Sequence, residues 1–141
     1  MSAVLRHLFV YGSLRRVAAR SAHHLLADDV QWLSEGSVGG RLYDLGRYPG
    51  LVRARSPRDR VRGEVYRLRH PTRTLARLDR YEDCDAAHGE YRRVLHVVQV
   101  AGGGRLRAWV YVYRGALVGR ARIPSGDYVL RPARWSASRR R

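Results

Sequence analysis

The sequence contains no lysine and only one cysteine, Cys84, among its 141 residues. A lone cysteine excludes an intramolecular disulfide framework and favours a reducing compartment, so we expect a cytoplasmic protein. No apolar run approaches the roughly 20 residues that a membrane-spanning helix needs, and the N-terminus lacks the pattern of a secretory signal. These absences exclude a disulfide-stabilised secreted scaffold and predict no membrane partner.

Length and composition indicate one globular domain. Hydrophobic residues make up 45% of the chain, which is typical of a globular protein rather than a disordered one. A chain of this length buries a core without disulfides or metal ions. We place the domain at residues 1–132 and assign residues 133–141 to a basic, polar tail that we expect to be disordered.

Arginine supplies the strongly positive charge, which is formally +16. Such a balance is also typical of nucleic-acid-binding domains. The arginines are scattered through almost every segment, however, and only residues 139–141 form a dense run. Two interpretations remain open: a solvated basic surface, which the scatter favours, or affinity for polyanions that is nonspecific and sensitive to salt.

The hydrophobic pattern predicts a chain rich in β-strands. Strands are predicted at residues 7–11, 36–45, 61–68, 91–100 and 106–113, with a short one beginning at 51–52. Helices are predicted at 18–27 and from Pro71 to about residue 82, and turns at 46–50, 56–59 and 101–104. Bulky residues occupy both alternating faces of 106–113, which predicts a closed or strongly curled sheet with helices packed outside it.

The end of the first predicted strand is a candidate anion site, formed by Tyr11, Gly12, Ser13 and Leu14. Gly12 allows unusual backbone angles and close approach of a ligand, and successive N–H groups leaving a strand form a concavity for anions. An ordinary strand-to-loop turn explains the same residues. The lysine and the repeated glycines of a nucleotide-binding loop are missing.

The helix that follows Pro71 carries a candidate proton-transfer group. Leu75, Leu78 and Glu82 have the spacing of one helix face, and a partly desolvated carboxylate there has a raised pKa and exchanges protons near neutral pH. The alternative is that the helix ends earlier and leaves Glu82 solvated beside Asp83 and Asp85. Those three acids lack the glycine and the terminal glutamate of a calcium loop.

Other reactive residues give weaker signals. Cys84 with His88 resembles a nucleophile and base, but a lone cysteine is more often an inert buried residue. The adjacent His23 and His24 do not point at one metal ion on a helix, and no Cys/His spacing fits a zinc site. Ser125 lacks the strand-turn-helix context of a nucleophile elbow. We therefore predict neither a metal nor a cofactor.

Six segments are notable for their order along the chain: Phe9-Val10-Tyr11-Gly12-Ser13-Leu14, Gly40-Arg41-Leu42-Tyr43-Asp44, Tyr48-Pro49-Gly50-Leu51-Val52, Val61-Arg62-Gly63-Glu64-Val65-Tyr66, Leu78-Asp79-Arg80-Tyr81-Glu82 and Tyr91-Arg92-Arg93-Val94. With the late segment Ser125-Gly126-Asp127-Tyr128, they resemble the gamma-glutamylcyclotransferase-like superfamily. The resemblance is greatest to small bacterial members related to gamma-glutamylaminecyclotransferase, and it covers residues 7–128.

The resemblance implies an α+β fold, a small mixed β-barrel flanked by helices. It implies that Tyr11, Gly12, Ser13 and Leu14, together with Tyr91, bind the gamma-glutamyl end of a substrate, and that Glu82 is the catalytic acid and base. The implied reaction closes this group into 5-oxoproline and releases an amine without a cofactor. A non-catalytic ligand-binding protein of the same fold is the alternative, followed by a basic domain associated with nucleic acid.

The charge distribution makes a prediction that tests the nucleic-acid hypothesis. We expect binding to DNA or RNA to be weak and to disappear as salt rises, because counterion release supplies its free energy. Removing residues 139–141 should leave the thermal midpoint of unfolding nearly unchanged, since a solvated terminus buries little. Sequence-selective binding that persists well above physiological salt would contradict this expectation.

Overall fold

The computed structural model describes residues 5–12, 29–46, 48–81 and 90–128. The predicted helix at 18–27 and the predicted tail at 133–141 lie outside these ranges, as do Cys84 and His88. These assignments remain predictions.

Within the described ranges the chain forms eight strands and one helix. The strands are β1 (His7–Val10), β2 (Val30–Gly39), β3 (Arg41–Asp44), β4 (Pro49–Val52), β5 (Arg60–Leu68), β6 (Tyr91–Val100), β7 (Arg105–Tyr113) and β8 (Ala121–Ile123). The helix α1 (Pro71–Tyr81) begins at the proline, as predicted, because a proline in the first turn loses no helical hydrogen bond. Among the described residues, no helix is long and apolar enough to cross a membrane.

Five strands close into a barrel in the order β1-β5-β2-β6-β7. The barrel is mixed because β1 and β7 pair in parallel, with Leu8 opposite Trp109, whereas the other neighbouring strands are antiparallel. A register shift between Trp32 and Ser34 bends β2 against β5. The predicted α+β fold with a small mixed barrel is confirmed.

The barrel strands bury side chains on both faces, as the alternation in β7 predicted. One set of alternating residues fills the interior: Phe9, Val38, Val61, Val65, Val98, Ala108 and Val110. The other set lies outside the barrel beneath α1, whose Leu75 and Leu78 join it: Leu8, Val10, Tyr66, Leu68, Tyr91, Tyr111 and Tyr113. The outer face of the barrel is therefore a second core rather than a solvated surface.

Several of the predicted boundaries are wrong, and two of these errors have a clear physical reason. The single strand predicted at 36–45 divides at Gly40, whose backbone N–H donates to the carbonyl oxygen of Asp59 (2.9 Å). A Cβ on Gly40 would lie 2.9 Å from the carbonyl oxygen of Val52, so only glycine fits this crossing between sheets. In addition, Pro49 and Gly50, predicted as turn, begin β4. Proline is accepted there because β4 is an edge strand.

The second sheet has the order β4-β3-β8, and a buried carboxylate attaches it to the loop before β5. Asp59 accepts hydrogen bonds from Arg41 in β3 (2.9 Å) and Arg122 in β8 (3.0 Å). It also accepts from the backbone N–H groups of Arg55 (2.8 Å) and Ser56 (3.1 Å). Hydrogen bonds from Arg41 and from the Arg55 backbone hold the pKa of Asp59 far below its usual value.

Replacing this carboxylate should destabilise the protein in a pH-dependent way. A group with a lowered folded-state pKa contributes stability above its unfolded pKa of about 3.9, and that contribution is lost as the pH falls. We therefore expect Asp59→Asn to unfold at lower urea than the wild type at pH 7, with the difference shrinking below about pH 4. A difference that stays constant from pH 7 to pH 3 would contradict the role of the Asp59 charge.

Candidate functional site

Tyr11 and Gly12 follow the end of β1, where Tyr11 is buried and Gly12 is half-buried. The Tyr11 hydroxyl donates a hydrogen bond to the backbone carbonyl oxygen of Tyr111 (2.5 Å). The same hydroxyl accepts one from the backbone N–H of Leu51 (3.2 Å). A single buried hydroxyl thus joins three segments of the chain, namely the turn, β4 and β7. This arrangement holds the turn in one place relative to both sheets.

Pro49 brings the turn into contact with a third predicted site residue. A Cβ on Gly12 would lie 2.8 Å from Cγ of Pro49, so the turn packs directly on the proline ring. The Tyr91 hydroxyl donates to the carbonyl oxygen of Pro49 (2.7 Å). Tyr11, Gly12 and Tyr91 therefore all contact β4. Ser13 and Leu14 lie outside the described residues.

Tyrosine rings form the wall beside this turn. Tyr91 lies edge-to-face between Tyr48 (centroids 5.8 Å apart) and Tyr113 (5.6 Å). Tyr91 and Tyr113 are directly opposite each other on β6 and β7. At the outer edge of the wall the Tyr48 hydroxyl donates to the carboxylate of Glu90 (2.8 Å). Tyr91 and Tyr113 are buried in the outer core, whereas Tyr48 is exposed at its edge.

The last turn of α1 is fixed to the barrel by Asp79. Its two carboxylate oxygens accept hydrogen bonds from Nε (2.8 Å) and Nη2 (3.1 Å) of Arg93, and Oδ1 also accepts from the Tyr111 hydroxyl (2.7 Å). Arg93 in turn stacks over the Trp109 ring, 4.4 Å from its centroid. Partial burial raises the pKa of Asp79, but the bonds from Arg93 and Tyr111 outweigh it and leave the pKa below its usual value.

Glu82, the predicted acid and base, follows α1 in the sequence and lies outside the described residues. The described helix carries Leu75 and Leu78 in the outer core, which confirms the apolar face on which the prediction depended. The assignment of Glu82 itself remains a prediction. Asp79, three positions earlier in the sequence, was not among the predicted site residues. The sequence feature that could have identified Asp79 is an acidic residue in the last helical turn, where the helix dipole disfavours a negative charge.

Two further polar residues in this part of the fold have local roles. Glu64 of β5 pairs with Val10 of β1. Its side chain is buried and accepts a hydrogen bond from the Tyr66 hydroxyl (2.6 Å). Ser125 accepts a bond from the backbone N–H of Asp127 (3.2 Å), which is a turn-forming contact and not that of a nucleophile. Among the described residues, no group of three or more His, Cys, Asp or Glu side chains is placed to hold a metal ion.

A separate cleft of about 370 Å³ lies across β2, β5 and β6. Glu35, Arg62, Gln99 and Asp127 are among the residues that line it. The lining includes neither Tyr11, Gly12 nor Tyr91. The cleft is therefore distinct from the described part of the predicted substrate site.

Comparison with known proteins agrees with the fold and the motif order. Residues 8–130 match the family model described as gamma-glutamyl cyclotransferase, AIG2-like. The Escherichia coli K12 gamma-glutamylcyclotransferase family protein YtfP is 39% identical over 123 residues, which cover 86% of this chain and 95% of YtfP.

Solved structures extend the comparison to three dimensions. The solution NMR structure of ytfP from Escherichia coli superposes with a TM-score of 0.60 at 38% identity, over 89% of this chain and 97% of that one. An AIG2-like protein from Mus musculus gives a TM-score of 0.62 at 26% identity, over 77% of this chain and 76% of that one. The barrel described above is thus the fold of these relatives.

The buried Tyr11 hydroxyl provides a test of the turn. Tyr11→Phe leaves the Tyr111 carbonyl and the Leu51 N–H without their partner, so we expect a loss of about 1–3 kcal/mol in the free energy of unfolding. Tyr48→Phe removes an exposed hydroxyl and should change it by less than about 0.5 kcal/mol. Urea unfolding of both variants measures the difference. Equal effects would mean that the turn is not fixed by the Tyr11 hydroxyl.

Proposed function

The chain belongs to the AIG2-like gamma-glutamyl cyclotransferase family, and from this premise we propose that it is a gamma-glutamyl cyclotransferase. Its substrate would be a gamma-glutamyl amine or a related amide. The products would be 5-oxoproline and the free amine. Glu82 would serve as the general base and then as the general acid.

The reaction needs positioning and two proton transfers. The substrate's α-amine attacks its own γ-carbonyl carbon, a C–N bond forms, and the bond from that carbon to the leaving amine breaks. The attacking amine is protonated at neutral pH, so a base must remove a proton before attack. The leaving amine must gain a proton as it departs. One carboxylate within reach of both nitrogens performs both transfers, and a folded substrate conformation supplies proximity.

The gathering of Tyr11, Gly12 and Tyr91 around Pro49 is the observation that carries this proposal. Backbone N–H groups at the end of a strand suit an α-carboxylate, and the tyrosine wall suits the methylene chain of the glutamyl group. The net charge of +16 also favours the approach of an anionic substrate. The helix that leads to Glu82 ends against Tyr111, whose carbonyl oxygen accepts the bond from Tyr11.

Replacing the proposed base should separate catalysis from binding. Glu82→Gln keeps the size of the side chain and removes the proton acceptor, so the variant should fold and bind substrate normally. We expect its rate of 5-oxoproline formation to fall about 10²- to 10⁴-fold. A panel of gamma-glutamyl amines and amides with direct detection of 5-oxoproline identifies the substrate and measures the rates.

The neighbouring acids provide the matched control. Asp83→Asn also removes one negative charge, and Asp85→Asn does the same two positions further on. Both should retain most of the wild-type rate. If Glu82→Gln forms 5-oxoproline as fast as the wild type, the assignment of Glu82 is wrong. If the wild type binds gamma-glutamyl compounds but never forms 5-oxoproline, the non-catalytic alternative replaces the proposal.

A further inference from the structure

The carboxylate of Asp79 occupies a position that α1 itself disfavours. It lies in the last helical turn, where the negative end of the helix dipole repels an anion. Partial burial opposes its charge as well. A neutral side chain would suit the isolated helix better. The bonds to Arg93 and Tyr111 must therefore offset both costs, and what they add is a defined placement of the helix end on the barrel.

The geometry of these bonds restricts rotation as well as distance. A guanidinium group that binds both oxygens of a carboxylate fixes the plane of that carboxylate. Arg93 binds both oxygens of Asp79, and Tyr111 adds a third bond to Oδ1. Arg93 is itself stacked on Trp109. The last turn of α1 is thus held at a fixed rotation about its own axis as well as at a fixed height above the sheet.

Both groups that hold Asp79 come from one cross-strand pair. Arg93 of β6 and Tyr111 of β7 are directly opposite each other on the sheet. The backbone carbonyl oxygen of Tyr111 also accepts the hydrogen bond of the buried Tyr11 hydroxyl. The side chain of Tyr111 therefore holds the helix end, while its backbone holds the turn at the end of β1. The placement of one segment relative to the other depends on this residue.

We propose that Asp79 is a positioning residue that, through Arg93 and Tyr111, fixes the end of α1 relative to the Tyr11–Gly12 turn, and that catalysis by Glu82 depends on this placement. Glu82 follows Asp79 by three positions in the sequence, so we expect a shift of the helix end to affect the rate. The inference rests on the proposed function for the role of Glu82. The placement of the helix end by Asp79 does not depend on that role.

Asp29 provides a matched control on the same helix. It forms ion pairs with Arg73 (3.1 Å) and Arg77 (2.5 Å) of α1, so Asp29→Asn also removes a carboxylate that binds α1 through arginine. Asp29 accepts no bond from β6 or β7 in the described contacts. We expect Asp79→Asn to lower kcat for 5-oxoproline formation about 10- to 100-fold with KM nearly unchanged. Asp29→Asn should leave both constants close to the wild type.

Two further measurements keep the test decisive. If Asp79→Asn fails to fold, Tyr111→Phe takes its place in the test. This variant loses one bond to Asp79 but keeps the backbone carbonyl that binds Tyr11, and it should also lower kcat. Amide hydrogen exchange of a peptide covering residues 78–82 needs no turnover. Exchange there should rise at least tenfold in Asp79→Asn and stay unchanged in Asp29→Asn.

Each contrary result overturns a different statement. Equal losses of kcat in Asp79→Asn and Asp29→Asn, or unchanged kcat and exchange in Asp79→Asn, would contradict the positioning role. A wild-type rate in Glu82→Gln would contradict the proposed base instead. If no gamma-glutamyl compound is turned over, the exchange measurement still decides whether Asp79 places the helix end.

Discussion

Tyr111 connects the end of α1 to the turn at the end of β1. Its hydroxyl binds the last turn of α1 through Asp79, and its carbonyl oxygen binds the turn at the end of β1 through Tyr11. Tyr111 lies on β7, which belongs to the closed barrel and is the neighbour of β1. A site that depends on proximity needs this kind of rigid support, since small displacements are costly to the rate.

Four of the nine tyrosines of the chain lie in the outer core. The sequence has nine tyrosines but one phenylalanine, and the outer core beneath α1 is rich in tyrosine. A tyrosine supplies apolar area and keeps a polar end that must find a partner when buried. The hydroxyls of three of them donate hydrogen bonds: Tyr66 to Glu64, Tyr91 to the carbonyl oxygen of Pro49, and Tyr111 to Asp79. The outer core thus contributes both apolar packing and hydrogen bonds between chain segments.

Much of the barrel was predictable because its strands have strong local signals. The bounds of β6 agree with the prediction, and the bulky alternation of β7 indicated that both of its faces are covered. The helix start at Pro71 follows from proline chemistry alone. These features depend on neighbouring residues in sequence, which is why a single sequence predicts them.

The errors arise where distant contacts decide the structure. The crossing at Gly40 depends on Val52 and Asp59, and no local pattern announces it. The first half of β2 was missed because a register shift after Trp32 interrupts its alternation. β8 is three residues long and exists by pairing with β3. Likewise, the motif order pointed to Tyr11, Gly12 and Tyr91, but the part played by Pro49 and Tyr111 in joining them is a tertiary feature.

An NMR titration of ¹⁵N-labelled protein with 5-oxoproline, the proposed product, tests the central claim most directly. The account predicts saturable shifts of the amide signals of Tyr11, Gly12 and Tyr91, with Glu35 and Gln99 in the separate cleft unaffected. Shifts confined to that cleft, or an absence of saturable shifts at the Tyr11–Gly12 turn, would contradict it.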